Sequence, residues 1–180
     1  LFLGSAPIPN GGTGGPPNIA DFDGDGVPDI AAAGSSQYIV YKFDAKNFTK
    51  LWSAPTDDTS SQVTGSSVFD FDGDGRNEVV YNDEVYIRIY PGQEPDCLLN
   101  PKGPKCNGIM DDTEVLFRDR NGSRTRTEYP VIVDADGDFK AEIVFPTNND
   151  GGSGKFDAGL EVWGDELDNW VATRPVWNQH

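Results

Sequence analysis

An acidic loop, written three times, constrains this chain more than any other feature. DFDGDG occupies residues 21–26 and recurs unchanged at 70–75, and DADGDF follows at 134–139. Each copy lies between short apolar runs: NIADFD before DIAAA, VFDFD before EVVYN, and VIVDA before EIVFP. Runs of that length, rich in β-branched and aromatic residues, read as strands. Each acidic stretch is therefore a loop between two strands. With the first Asp as position 1, positions 1, 3, 5 and 9 are Asp21, Asp23, Asp25 and Asp29 in the first loop. The second has Asp70, Asp72, Asp74 and Glu78, and the third Asp134, Asp136, Asp138 and Glu142. These twelve residues are two-fifths of the thirty acids in the chain. Like charges gathered so closely repel, and a divalent cation among them is the economical explanation.

Ligands that are all oxygen suit Ca²⁺ better than a transition metal, and up to three ions are expected. Position 7, here Val27, Arg76 or Lys140, is expected to add a backbone carbonyl to each set. An EF-hand fails on two grounds. It needs Glu at position 12, where this chain has Ala32, Tyr81 and Phe145, and it needs flanking helices where these flanks are strands. Glycine ends DFDGDG at position 6, where the chain turns through positive φ. Phe139 holds that position in the third loop. It must accept the left-handed conformation at about 1–2 kcal/mol, or the loop must turn differently. With Lys140 adding positive charge beside it, the third site is expected to be the weakest of the three or distorted.

The repeat extends beyond the loops. Each copy reads as a short apolar strand, an acidic loop, a second strand, an alternating strand such as VYIRIY at 85–90, and a last strand carrying an aromatic. The loops start 49 and 64 residues apart. No window carries a convincing helical stripe. Four-stranded units at this spacing suggest blades of a β-propeller. The pattern D-x-D-x-D-G-x-x-[DE] between apolar strands resembles the FG-GAP or VCBS repeat, the calcium-binding blade of integrin α-chain propellers and of many secreted bacterial and fungal proteins. The resemblance covers about residues 16–165. It implies calcium-locked hairpins in an all-β fold of three four-stranded antiparallel blades. Three blades do not close a ring, so the propeller is partial or is completed by other chains. The expected division is an N-terminal strand and Gly-rich linker (1–15), blade 1 (16–65), blade 2 with the Cys97–Cys106 insertion (66–129), and blade 3 with a Trp-rich tail (130–180). The chain opens on Leu1 without a secretory leader and reads as a mature product or part of a longer one.

The remaining features narrow the function. A formal net charge of −16 argues against nucleic acid, and no apolar run is long enough for a membrane helix. Cys97 and Cys106 are expected to form a disulfide, because the chain otherwise looks extracellular; free thiols are the alternative. His180 is the only histidine, which leaves no Ser-His-Asp or Cys-His set, and no catalytic residue is assigned. GGSGKF (151–156) departs from a phosphate loop at both ends. Trp163, Trp170 and Trp177, spaced by seven, read first as core packing and second as ligand contacts. Asn47 and Asn121 begin glycosylation sequons that matter in a eukaryotic source. The expectation is a secreted, non-enzymatic, calcium-stabilised module for adhesion or assembly. Its partner is a protein or glycan on a cell surface or matrix. The alternatives are a self-assembling subunit of an extracellular fibre or surface layer, and a non-catalytic segment of a larger secreted enzyme.

Overall fold

Alternating β-branched and aromatic residues build strands wherever the acidic loops leave room. The computed structural model describes residues 1–8, 10–122, 127–147 and 159–176. Among these, eleven strands form three antiparallel sheets. The first contains β1 (Asn18–Ala20), β2 (Asp29–Gly34), β3 (Gln37–Phe43) and β4 (Phe48–Pro55), side by side in chain order. The second repeats the order with β5 (Ser66–Phe69), β6 (Glu78–Asn82), β7 (Tyr86–Tyr90) and β8 (Phe117–Arg120). The third holds β9 (Val131–Val133), β10 (Glu142–Thr147) and β11 (Gly159–Trp163). The all-β architecture expected from the sequence is present. The third sheet differs in having three strands rather than four among the described residues. Residues 1–8 and 10–15 form no strand, in contrast to the N-terminal strand expected there. Instead Tyr41 donates its hydroxyl to the Pro7 carbonyl at 2.8 Å, and Ile8 packs where a Cβ on Gly34 would meet it at 2.1 Å.

The period of two in a strand decides which sheet meets which. Val79 and Tyr81 turn one face of β6 to the first sheet, where they join Ala31, Ala33, Tyr38, Val40, Trp52 and Ala54. Val80 on the opposite face joins Ile87, Ile89, Ile132, Ile143 and Phe145 between the second and third sheets. With both faces covered, every residue of β6 is buried. Trp52 centres the first core. Its ring stacks on Tyr38 at 5.9 Å between centres and tilts against Tyr90 at 5.7 Å. Its Nε1 donates to the Gly92 carbonyl at 2.6 Å, so the polar edge is satisfied inside the core. A charge is buried at the same junction: Arg88 pairs with the buried Asp83 and reaches Asp57 at 2.8 Å.

The insertion after β7 contains a five-residue helix, α1 (Pro95–Leu99), which the periodicity did not reveal because it is too short to carry a stripe. Pro95 starts it, as suits a position whose N–H has no partner in a helix. Cys97 and Cys106 are joined in a disulfide. Buried Glu94 accepts the backbone N–H of Asn107 at 3.2 Å and of Gly108 at 2.8 Å, which closes the loop. The chain then adds to the edge of the first sheet, with Ser53 N–H donating to Gly108 and Met110 N–H donating back to Ser53. Met110 enters the first core fully buried. Asn121 also departs from its sequence reading. It is completely buried, and its amide nitrogen donates to Asn82 Oδ1 at 2.6 Å and to the Pro146 carbonyl at 3.1 Å. A glycan cannot be attached to that nitrogen in the folded chain, whereas Asn47 is exposed.

Candidate metal centre

Each acidic loop is the hairpin connection between the first two strands of its sheet. Position 9 is the first residue of β2, β6 or β10, and it pairs across the ladder with the residue before position 1: Ala20 with Asp29, Phe69 with Glu78, Val133 with Glu142. This register makes the loop fold back on its own carboxylates. Position 1 gathers the N–H groups of positions 4 and 6. Asp21 accepts Gly24 at 2.8 Å and Gly26 at 2.7 Å; Asp70 accepts Gly73 at 2.8 Å and Gly75 at 3.0 Å; Asp134 accepts Gly137 at 2.6 Å and Phe139 at 3.2 Å. Position 5 accepts the N–H of position 7, so Asp25, Asp74 and Asp138 hold Val27, Arg76 and Lys140 at 2.7–2.8 Å. Position 9 accepts the N–H of position 2, with Phe22, Phe71 and Ala135 donating at 3.2, 2.8 and 2.7 Å.

The third loop follows this register without distortion. Phe139 takes φ of 74°, beside 81° for Gly26 and 88° for Gly75. Phe139 is 69% exposed, so little side-chain burial offsets the cost of the left-handed backbone. Replacing Phe139 with glycine is expected to stabilise the protein by about 1 kcal/mol, the relief of that strain less the freedom glycine gains when unfolded. Thermal melting at saturating calcium checks this; a lower midpoint for the variant would contradict it.

The carboxylates converge. Asp134, Asp136, Asp138 and Glu142 each offer an oxygen within 4.8 Å of the others, as do Asp21, Asp23 and Asp29 in the first loop and Asp70, Asp72 and Glu78 in the second. Position 5 stands outside the cluster in those two, and in each a cation contacts it. Lys42, reaching over from β3, lies 2.5 Å from Asp25 and 2.6 Å from Asp23, and Arg76 lies 2.7 Å from Asp74. The Lys42 ammonium stands where positive charge is wanted, and the two carboxylates hold its proton well above the usual lysine range. The second loop's cation comes from the loop itself, while Lys42 comes from a neighbouring strand that local spacing does not identify.

A divalent cation fits these sites on physical grounds. Asp29, Glu78 and Glu142 are buried, and buried Oδ1 atoms of Asp23 and Asp29 have no hydrogen-bond partner. Burial pushes the Asp29 carboxyl up to about 6, with Asp23 and Asp25 adding repulsion. Glu78 is pushed up to about 8 by burial and by the charges of Asp72, Asp70 and Asp74. Glu142 is raised for the same reasons. Calcium would be held by positions 1, 3, 5 and 9 and would neutralise the repulsion. The sign of the pH dependence follows. From about 4.5, the unfolded value of Glu78, to about 8, its folded value, the calcium-free native chain keeps a proton that the unfolded chain has lost. Stability therefore falls as pH rises through that window. Calcium-free protein is expected to melt higher at about pH 5 than at about pH 8, with excess calcium closing the gap. A calcium-free midpoint that rose with pH would contradict this.

The tail crosses the second and third loops. Val171 N–H donates to the Phe71 carbonyl at 2.9 Å, and Thr173 N–H to the Phe139 carbonyl at 3.2 Å. Trp170 packs on Phe71 and Trp163 on Phe117, and both are half-buried. Trp177 and residues 151–156 lie outside the described residues.

Residues 3–81 match the model of the FG-GAP-like repeat. That span includes the first two acidic loops and not the third. No curated protein matches the chain. Among solved structures, the V. cholerae biofilm matrix protein Bap1 is similar, with 28% sequence identity and a TM-score of 0.64 over 85% of this chain. The chain spans 22% of that protein's length. The resemblance carried by the first two acidic loops is therefore matched by the family comparison, and over residues 3–81 the chain is similar to the FG-GAP-like repeat.

Proposed function

We propose that the chain is an extracellular, calcium-stabilised segment of a β-propeller that serves adhesion or matrix assembly without catalysis. The observation that carries this reading is the recurrence of one loop geometry at three hairpins, with buried carboxylates converging in each. The order of the strands supports the propeller. Each sheet is an antiparallel meander, β1 lies against β5 and β5 against β9, and the sheets pack face to face. Neighbouring first strands are what blades set about a common axis require. The Cys97–Cys106 disulfide suits an oxidising compartment. Similarity to a biofilm matrix protein supports the matrix role. No helix among the described residues is long and apolar enough to cross a membrane.

The partner on this reading is a protein or glycan of a surface or matrix. Retention of the purified chain on immobilised extracellular matrix, with calcium and again with a chelator, tests it. Retention lost on chelation is expected; no retention in calcium would overturn the adhesion role. One observation favours self-assembly as a second reading. Strand β11 exposes the large apolar side chains Leu160 and Val162. Exposed apolar side chains side by side on a surface strand suit contact with another chain. Light scattering in calcium separates the readings, because a monomer at all concentrations excludes the fibre.

A further inference from the structure

Trp163 and Trp170 spend only part of their surface on the core. Trp163 packs on Phe117 at 5.1 Å between ring centres, and Trp170 on Phe71 at 4.6 Å. Both also line a cavity of about 430 Å³ at the junction of the second and third sheets, with Asp165 and Glu166 in its wall. A second cavity, of about 400 Å³, shares Gly164, Asp165 and Trp170 with the first and reaches Asp136, Asp138 and Glu142 of the third acidic loop. The two adjoin as one groove, aromatic at one end and acidic at the other. Its volume is in the range of small-molecule sites.

The groove wall is built before any ligand arrives. Asp165 accepts the backbone N–H of Asn169 at 2.8 Å and its side-chain amide at 2.9 Å, and its carbonyl accepts Asp168 N–H at 3.0 Å. This compact turn sets Trp170, which the Val171–Phe71 hydrogen bond then ties to the second sheet. A preorganised wall lowers the entropy lost on binding. The chemistry of the lining selects the ligand. An apolar ligand has no use for the carboxylates, and a polyanion is repelled by them and by a chain of net charge −16. A sugar ring has an apolar C–H face for the indole and hydroxyls that donate to carboxylates.

We propose that this groove binds a neutral saccharide. Trp170 is the stacking platform, Glu166 and Asp165 accept hydroxyl hydrogens, and the third loop closes the acidic end. The proposal rests on the reading of the chain as a calcium-loaded matrix module, since an uncompensated third loop would crowd the groove with charge. It is tested by titrating the calcium-loaded chain with trisaccharides of glucose, mannose and N-acetylglucosamine while following tryptophan fluorescence. At least one is expected to give a saturable change. Glu166→Ala, an exposed position, is expected to weaken that binding about 10-fold, the effect of one charged hydrogen bond. Trp170→Ala is expected to abolish it, with thermal melting showing whether that variant is folded. No response to any of the three at about 10 mM, or unchanged affinity in Glu166→Ala, would overturn the proposal. Melting with and without calcium, run on the same samples, reports separately. Absence of a calcium-dependent shift overturns the loop reading, whereas a normal shift without saccharide binding overturns the groove alone.

Discussion

Replacing Trp52 with alanine is expected to destabilise the protein by about 3–5 kcal/mol, the range for removing a large aromatic from a packed core. Trp52 is fully buried, lies between Tyr38 and Tyr90, and joins β4 to Gly92 in the connection after β7. Its removal empties the centre of the contact between the first two sheets and leaves the Gly92 carbonyl without its donor. Tyr38 and Tyr90, which flank the indole, also stack on each other at 6.2 Å between ring centres. Denaturant unfolding in excess calcium measures the effect as a lowered midpoint. A loss below about 1.5 kcal/mol would mean that the two sheets are held together by something other than this core.

Removing calcium is expected to have the second large effect. Binding to the folded state contributes RT ln(1 + [Ca²⁺]/Kd) per site, and extracellular calcium sites have Kd of roughly 10⁻⁴–10⁻³ M. At about 1 mM calcium each site then contributes about 0.4–1.4 kcal/mol, and three together about 1–4 kcal/mol. For a chain of this size that corresponds to a fall of about 3–15 °C in Tm on chelation. Magnesium is expected to substitute poorly, since it demands a tighter octahedral site than these loops supply. The third loop is expected to bind most tightly. Its four carboxylates already converge, whereas calcium in the first loop must displace Lys42 and in the second must draw Asp74 from Arg76. This reverses the ranking that Phe139 and Lys140 suggest from sequence. An unchanged Tm on chelation would contradict a stabilising role for the loops.

The loops were legible because their chemistry is local. Carboxylates at alternate positions between two strands specify a turn and a ligand set within nine residues, and the backbone hydrogen bonds follow the same count in all three copies. The strands were legible through alternation and short apolar runs, whereas the burial of β6 on both faces depends on which sheets pack against it. Contacts set by distant parts of the chain were not. Lys42 reaches the first loop from β3, and only the pairing of β2 with β3 brings it there. Asn121 matches a glycosylation sequon, yet the fold places it between Asn82 and Pro146 as a buried amide. Helix α1 is one turn started by Pro95 and shaped by Glu94 and the disulfide, with no periodicity to reveal it. The paired roles of Trp163 and Trp170 depend on how the tail folds over the second loop. Spacing by seven along the chain does not encode that path.

Calcium binding by chelator-stripped protein, measured by calorimetric titration for the native chain and for Asp134→Ala, tests the central claim most directly. Three ions per native chain are expected, falling to two in Asp134→Ala with the tightest phase lost. Failure to bind calcium at about millimolar concentration, or an unchanged stoichiometry in Asp134→Ala, would contradict the assignment of these loops as calcium sites.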